Sequence, residues 1–251
     1  GAGPGDPELL TLKALRLIRS CNVLVHDALI PTEILEEANS KCEIFYVGKR
    51  AGCNSFLQSD INSLILKLAK EGKDVVRLKG GDPFVFSRGG EEVSFLEEHG
   101  IPVEIVPGIT SGIAASSYIG IPLTHRYGAS SVTFVTGHET PEKQEKSVNW
   151  RQLALSSNSL VIYMGIRNIK HIVEELIIGG MKTNTKCAAV QEATLKNQKS
   201  LVTELSELPE VIKKYKIKPP AIVLIGKIVD FQVKNTITKL SSVNLQKIKQ
   251  I

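Results

Sequence analysis

Residues 75–83 read Val-Val-Arg-Leu-Lys-Gly-Gly-Asp-Pro, and this stretch decides the fold. A short apolar run that ends at two glycines, an acid and a proline is typical of a strand that is buried in a parallel sheet and leads into a loop. We therefore predict a strand over residues 75–78. The glycine-rich loop of residues 79–90 then lies at the carboxyl end of that strand, where ligands of parallel sheets bind.

Similar apolar runs alternate with helical periodicity along the whole chain. Further strands are predicted at residues 23–26, 44–47, 103–106, 132–135, 160–163, 187–190 and 221–225. One helix is predicted from an apolar stripe at helical spacing, formed by Ile61, Leu64, Ile65 and Leu68 and ended by Gly72. A first helix is predicted from a cap at Asp6, a proline at Pro7 and an inner face of Leu9, Leu12 and Leu15.

This alternation predicts an α/β fold with parallel sheets and crossover helices. A length of 251 residues favours two cores over one. We place an N-terminal α/β domain at residues 1–120, a C-terminal α/β domain at residues 121–230 and a basic tail at residues 231–251.

The charge of the chain argues against nucleic acid as a partner. The net charge is +5, but residues 231–251 hold four lysines and no acid, which leaves 27 basic and 26 acidic residues, or +1, in residues 1–230. Aromatic residues make up only 5% of the chain, so a base-stacking platform is not evident. We therefore expect no nucleic-acid partner.

Cysteine usage and hydropathy bear on the location of the protein. Cys21, Cys42, Cys53 and Cys187 form no C-x-x-C pair and no metal-ligand spacing, which predicts a reducing, cytoplasmic setting and no metal. Residues 105–124 carry no charge, but prolines and glycines interrupt them, so we predict a buried loop, helix and loop and no membrane partner. The glycine-rich turn at the start normally follows a strand, so we expect a strand before Gly1. A targeting segment before it, and hence an organelle, stays open.

The opening turn, Gly1-Ala2-Gly3-Pro4-Gly5-Asp6, differs from known phosphate-binding motifs. Pro4 has no amide to offer a phosphate, and Asp6 stands where a dinucleotide motif has its third glycine. The turn also lacks the lysine of a P-loop. A neutral or cationic ligand suits it better than a pyrophosphate, although a simple strand-to-helix turn would look the same.

Four stretches together resemble the tetrapyrrole methylases: residues 1–11, residues 75–92, residues 106–111 and residues 120–126. The resemblance extends from residue 1 to about residue 229, and residues 77–92 are most similar to the branch that methylates uroporphyrinogen III. It implies two α/β domains with S-adenosylmethionine in a cleft between them, a small-molecule tetrapyrrole substrate and a homodimer. The implied reaction adds methyl groups at carbons 2 and 7 to give precorrin-2, which feeds sirohaem and, in some organisms, cobalamin.

The resemblance also implies residue roles. The proton acceptor corresponds to Asp27 and the proton donor to Lys49, although an aspartate in a turn and a lysine on a solvated loop are the simpler alternatives. The cofactor contacts correspond to Pro4, Gly80, Gly81, Asp82, Val85, Thr110, Ser111, Met164 and Ala193. Paired glycines before an acid let a ligand approach the backbone while the carboxylate binds an ammonium group or hydroxyls.

The implied substrate is rich in carboxylates, so its pocket should be rich in cations. The candidates in or beside the predicted loops are Arg50, Arg77, Lys79, Arg88, His125 and Arg126. Solvated surface charge is the alternative for each of them, except that an arginine within the buried run at Arg77 needs a partner. One departure from the family pattern, Ser87 in place of a glycine, predicts a more restricted loop.

Three other functions remain open at this point. A later precorrin is an alternative acceptor, which the block of residues 77–92 disfavours. A non-catalytic binding protein that keeps the pocket is disfavoured by the presence of Asp27 and Lys49. A nucleic-acid methyltransferase is disfavoured by the low charge of residues 1–230.

Overall fold

The computed structural model describes residues 1–48, 57–138 and 148–233. The chain divides into two compact units, Gly1–Ser111 and Gly112–Ile251. The sequence pattern predicted this boundary between residues 120 and 121. The second unit begins earlier because the start of the helix from Ser111 to Tyr118 packs against residues 161–163: the Gly112 N–H donates to the Tyr163 hydroxyl at 2.9 Å, and a Cβ on Gly112 would lie 2.7 Å from Val161 Cγ1.

The first unit contains a parallel sheet of three strands with β1 in the centre, in the order β2-β1-β3. Alternate residues of β1 pack on opposite faces: Val23 and Val25 contact one apolar cluster and Leu24 another. This double burial explains the continuous apolar run of β1. The elements are α1 (Leu12–Ser20), β1 (Val23–His26), α2 (Thr32–Leu35), β2 (Glu43–Tyr46), α3 (Gln58–Lys70), β3 (Val75–Leu78) and α4 (Gly89–Glu98).

The bounds predicted for β1 and β3 are confirmed, but two predictions in this unit are wrong. Residues 103–106 are not a strand: within the described residues they have no ladder partner, and the Val106 carbonyl accepts from the Gly1 nitrogen at 2.7 Å. An apolar run becomes a β-strand only where a neighbouring strand forms hydrogen bonds with it.

The inner face predicted for the first helix is also wrong. Asp6 caps a short 3₁₀ turn, Pro7–Leu9, and Thr11 caps a separate helix, α1. Because α1 begins after Thr11 and does not continue the 3₁₀ turn, a different face of the helix points inward. Ala14 and Ile18 are buried, and Leu12 is 87% exposed.

The second unit contains a mixed sheet of five strands in the order β4-β5-β8-β6-β7. Of its four pairs of neighbouring strands, β4–β5 is parallel and the other three are antiparallel, so the prediction of an all-parallel sheet is wrong here. Strand β7 was not predicted, because it is a polar, partly exposed strand at the edge of the sheet, where β6 is its one partner among the described residues. The elements are α5 (Ser111–Tyr118), β4 (Thr133–Thr136), α6 (Trp150–Ser156), β5 (Ser159–Tyr163), α7 (Ile169–Ile178), β6 (Lys186–Gln191), β7 (Lys199–Glu204), α8 (Leu208–Lys214) and β8 (Ala221–Gly226).

The uncharged stretch at residues 105–124 forms the predicted order of loop, helix α5 and loop. The predicted burial is only partly correct, because Ile105 is 36% and Ile113 45% exposed. Helix α5 is too short to span a bilayer, and no helix among the described residues combines the length and the apolar character that a membrane crossing needs. Most of the predicted basic tail, residues 234–251, lies outside the described residues.

Candidate functional site

The three strands of the first unit end at the same edge of their sheet, because they are parallel. Asp27 follows β1, Gly48 follows β2 by two residues, and Lys79 follows β3. The residue order along β1 and β3 places Arg77 beside Val25, two positions before Asp27. From there the Arg77 guanidinium reaches Asp27: its NH2 donates to Oδ1 at 2.6 Å.

Four charged side chains contact one another near this edge of the sheet. We call Asp27, Arg77, Lys79 and Glu92 the charged cluster. Oε1 of Glu92 accepts from Arg77 Nε at 3.3 Å and from Lys79 Nζ at 3.0 Å. The exposed fractions of the side chains are 12% for Arg77, 6% for Lys79, 5% for Glu92 and 32% for Asp27. Two buried cations are thus balanced by one buried and one accessible carboxylate.

Burial within the charged cluster changes the pKa of Lys79. Desolvation lowers the pKa of its ammonium, and the positive charge of Arg77 lowers it further, while Glu92 and Asp27 oppose both effects. Desolvation and Arg77 outweigh the two carboxylates, so the pKa of the Lys79 ammonium lies below its ordinary value.

These contacts bear on two of the residues that were predicted to bind substrate. Arg77 and Lys79 have carboxylate partners within the chain, and both side chains are largely buried. The partner that a buried arginine requires is therefore supplied by Asp27 and Glu92. This arrangement argues for a role in holding Asp27 and against direct contact with a substrate carboxylate.

A cradle of glycines lies at the same edge. Gly81 and Gly3 exchange backbone hydrogen bonds, Gly81 N to Gly3 O at 2.7 Å and Gly3 N to Gly81 O at 3.2 Å. Gly108 packs so closely that a Cβ there would lie 2.4 Å from the Gly81 carbonyl oxygen. The opening turn, the loop after β3 and the segment after residue 106 therefore meet at backbone distance, as their predicted position at one edge required.

Asp82 ties two of these loops together. Its Oδ1 accepts from the Phe84 N–H at 2.8 Å and its Oδ2 from the Gly108 N–H at 3.1 Å. Thr110 is buried beside Gly81, where a Cβ on Gly81 would meet the Thr110 Cα at 3.7 Å. Gly80, Gly81, Asp82 and Thr110, all predicted cofactor contacts, thus lie together, next to the turn that contains Pro4.

The remaining predicted contacts of this unit flank the cradle. The Val85 N–H donates to the Asp82 carbonyl at 3.4 Å, and Ser111 starts α5 directly after Thr110. The Ser87 hydroxyl donates to the carbonyl of Asp82 at 3.0 Å and to that of Pro83. These hydrogen bonds tie the serine to the backbone of its own loop, which is consistent with the more restricted loop that we predict.

In the second unit, Met164 and Ala193 also share one sheet edge. Strands β5 and β6 are both antiparallel to β8, which lies between them, so Met164 after β5 and Ala193 after β6 follow strand ends on the same side. Met164 has a φ of 54°, and the two neighbours of Ala193 have φ values of 50° and 74°. Non-glycine residues in this left-handed region are strained, and such strain is common at ligand sites.

The other predicted cations differ in their surroundings. Arg88 is exposed and pairs with Glu91, NH2 to Oε2 at 2.5 Å, and this hydrogen bond lowers the pKa of Glu91. The His125 ring stacks on Phe231 with 3.7 Å between centroids, and Arg126 is exposed. Lys49 and Arg50 lie outside the described residues.

Sequence reasoning missed Glu92 and Gln58 as site residues. The Gln58 side-chain amide donates to Glu92 Oε1 at 3.0 Å, which gives that oxygen three donors. One signal was available: an arginine within a buried strand requires a carboxylate, and the first turn of α4 supplies two, Glu91 and Glu92.

Comparison with known proteins gives a consistent result. Residues 1–209 match the family model of the tetrapyrrole (corrin/porphyrin) methylases. A uroporphyrinogen-III C-methyltransferase of Methanocaldococcus jannaschii is 48% identical, over 92% of this chain and 95% of that protein. A siroheme synthase of Thioalkalivibrio sulfidiphilus is 43% identical over 91% of this chain, which spans 46% of that longer protein.

The fold matches a solved structure as well. The crystal structure of a uroporphyrin-III C-methyltransferase from Thermus thermophilus, complexed with S-adenyl homocysteine, superposes with a TM-score of 0.78. The two sequences are 39% identical, and the match covers 92% of this chain and 96% of that one.

Proposed function

The chain belongs to the tetrapyrrole methylase family, and from this premise we propose that it methylates uroporphyrinogen III at carbons 2 and 7, with S-adenosylmethionine as methyl donor, to give precorrin-2. S-adenosylmethionine supplies an activated methyl group, whose bond to sulfur breaks with the electron pair left on sulfur as the new carbon–carbon bond forms. The protein's task is alignment of the two reactants and removal of the proton that the ring system then loses.

Asp27 is the base in this proposal. Its carboxylate is 32% exposed at the edge of the sheet, and Arg77 orients it from the buried side. The loop of Asp27 adjoins the glycine cradle, since a Cβ on Gly80 would meet the Leu29 Cβ at 3.5 Å and no other atom within 4 Å. Lys49 stays the predicted proton donor.

The glycine cradle fits S-adenosylmethionine. Gly80 leaves open space beside the backbone, and both Asp82 oxygens keep a lone pair after accepting one backbone N–H each. Such acceptors suit an ammonium group and ribose hydroxyls, and they would repel a pyrophosphate. Pro4, Val85, Thr110, Ser111, Met164 and Ala193 complete the proposed set.

The carboxylates of the substrate are assigned to the remaining cations. Arg88, Arg126 and His125 are the described candidates, with Arg50 as a further one. Arg77 and Lys79 are assigned to the charged cluster instead, because Asp27 and Glu92 already pair with them. A homodimer and a cytoplasmic location, which the family and the cysteine usage suggest, complete the proposal. Light scattering during size-exclusion chromatography tests the dimer.

The observation that carries the proposal is the position of Asp27, held by Arg77 next to the glycine cradle. The test is an anaerobic incubation with S-adenosylmethionine and enzymatically generated uroporphyrinogen III, followed by mass spectrometry. We expect a product that has gained two methyl groups by way of a monomethyl intermediate. A substrate that gains no methyl, although the protein binds S-adenosylmethionine, would overturn the proposed acceptor.

A further inference from the structure

We propose that Glu92 is a positioning residue of the methyl transfer, which holds the Arg77 guanidinium in the orientation that fixes the Asp27 carboxylate. The inference rests on the proposed function, in which Asp27 removes the proton. It adds a largely buried carboxylate that is not among the site residues predicted from the sequence.

The helix start brings Glu92 to this place. A Cβ on Gly89 would lie 2.1 Å from the Pro83 carbonyl oxygen, so only a glycine allows the first turn of α4 to pack on the loop after β3. Gly89, Glu92 and Leu96 are the buried residues of α4, at the spacing of one helix face. The same face that anchors the helix in the core therefore directs Glu92 at β3.

Each of the three nitrogens of the Arg77 guanidinium donates at least one hydrogen bond within the protein. Nε donates to Glu92 at 3.3 Å and NH2 to Asp27 at 2.6 Å, while NH1 lies 3.3 Å from the carbonyl oxygens of Val25 and Leu78. A planar group with these four acceptors has one orientation. Asp27 and Glu92 are the two side chains among these acceptors. Asp27 accepts from NH2, and Glu92 holds the guanidinium at Nε.

The charge of Glu92 matters as well as its shape. Without it, two buried cations, Arg77 and Lys79, would face the single carboxylate of Asp27. Lys79 would then be free to compete with Arg77 for Asp27, because its nearest described carboxylate partner, Glu92 at 3.0 Å, would be gone. Gln58 donates to the same oxygen and cannot replace the charge, since an amide is neutral.

The substitution Glu92→Gln tests the charge with little change of shape, and Glu97→Gln is the matched control, an exposed glutamate on the same helix. For Glu92→Gln we expect kcat to fall by about 10- to 100-fold, the range typical of residues that orient a metal ligand through a hydrogen bond, since Glu92 orients Arg77 in the same way. The KM for uroporphyrinogen III and the Kd for S-adenosylhomocysteine should stay within about twofold of the wild-type values, since the Glu92 side chain is only 5% exposed and is bonded to Arg77, Lys79 and Gln58. Glu97→Gln should match the wild type.

A double-mutant cycle with Asp27→Asn separates positioning from a general effect on the fold. If Glu92 acts through Asp27, adding Glu92→Gln to Asp27→Asn lowers kcat no further. Multiplication of the two effects, or an unchanged kcat in Glu92→Gln, would overturn the inference. An unchanged kcat in Asp27→Asn alone would instead overturn the proposed base, so the two failures are distinguishable.

A second variant covers the case in which Glu92→Gln folds poorly. Lys79→Met with Glu92→Gln removes one charge of each sign and keeps the cluster neutral, so the fold should recover. Because Arg77 still lacks its second carboxylate, we expect kcat to stay low. Recovery of kcat together with the fold would show that Glu92 serves only to balance Lys79, which contradicts a positioning role.

Discussion

The NH2 group of Arg77 donates to Oδ1 of Asp27 at 2.6 Å, across two adjacent parallel strands. The arginine is 12% exposed and the aspartate 32%, so one member of the pair is inside the unit and the other faces solvent at the sheet edge. Because Arg77 binds Oδ1, the Asp27 carboxylate has a fixed orientation and its other oxygen, Oδ2, can act on a reactant.

Asp27→Asn should lower kcat by about 10²- to 10⁴-fold, the usual contribution of a general base. The asparagine keeps the shape and a hydrogen bond to Arg77, so the Kd for S-adenosylhomocysteine, measured by calorimetry, should stay near normal. Asp74→Asn, at the opposite end of β3, is the matched control and should turn over normally. Unchanged turnover in Asp27→Asn would remove Asp27 from the mechanism.

Arg77→Ala should destabilise the protein rather than weaken substrate binding. Removal of the cation leaves Asp27, which is 32% exposed, without its partner, while Glu92 keeps Lys79 and Gln58. We therefore expect a loss smaller than the ~3–5 kcal/mol that breaking a fully buried pair costs. Urea unfolding measures that loss, and the KM of the folded fraction should change little. A raised KM with normal stability would show instead that Arg77 binds substrate.

Arg126→Ala should have the opposite pattern. Arg126 is exposed, so its loss should leave the urea midpoint unchanged. If it binds a substrate carboxylate, KM should rise by about tenfold, which corresponds to one charge-assisted hydrogen bond. An unchanged KM would remove Arg126 from the substrate site.

Gly108→Ala should damage the glycine cradle. The new Cβ would lie 2.4 Å from the Gly81 carbonyl oxygen, and both partners are backbone, so the loop must move. We expect a loss of about 1–3 kcal/mol in the free energy of unfolding and a weaker Kd for S-adenosylhomocysteine. Gly90→Ala, where a Cβ meets no atom within 4 Å, is the control for stability and should cause no loss. Equal behaviour of the two variants would contradict the close packing.

Cys21 should make the protein less stable in alkali. Burial, and then a contact with Cys42 at 3.6 Å between sulfurs, raise the pKa of the Cys21 thiol from 9.0 to about 12. Between these values the unfolded chain has lost a proton that the folded chain keeps, so the free energy of unfolding falls as the pH rises above 9. By about pH 10 the loss is about 1 kcal/mol.

The matched variant for this effect is Cys21→Ala, compared with the wild type in urea at neutral pH and at about pH 10. The difference in stability between the two proteins should shrink at the higher pH. Cys187 is present in both, so its own raised pKa cancels. A difference that does not depend on pH would contradict the burial of the thiol.

Much of the site could be predicted from the sequence because local patterns encode it. The run at residues 75–81 specifies both β3 and the glycine loop, and the position of Asp27 after an apolar run places it at the ligand edge. The cradle follows from glycines, whose close contacts require that residue type.

The rest depends on tertiary contacts. Glu91 and Glu92 are equivalent in sequence, and only the packing of Gly89 against Pro83 decides that Glu92 is inside. Strand β7 has a polar sequence and pairs with β6 alone among the described residues. Residues 103–106 have the apolar pattern of a strand, but the described residues provide no ladder partner for them. Whether each of these two segments forms a strand depends on a pairing partner, which its own composition does not reveal.

The most direct test of the proposed function uses S-adenosylmethionine labelled with carbon-13 in its methyl group. After anaerobic turnover with uroporphyrinogen III, the carbon-13 NMR spectrum of the tetrapyrrole should contain two enriched methyl resonances, assigned to carbons 2 and 7. Label at other ring carbons, or a tetrapyrrole without label while S-adenosylmethionine is bound, would contradict the proposed reaction.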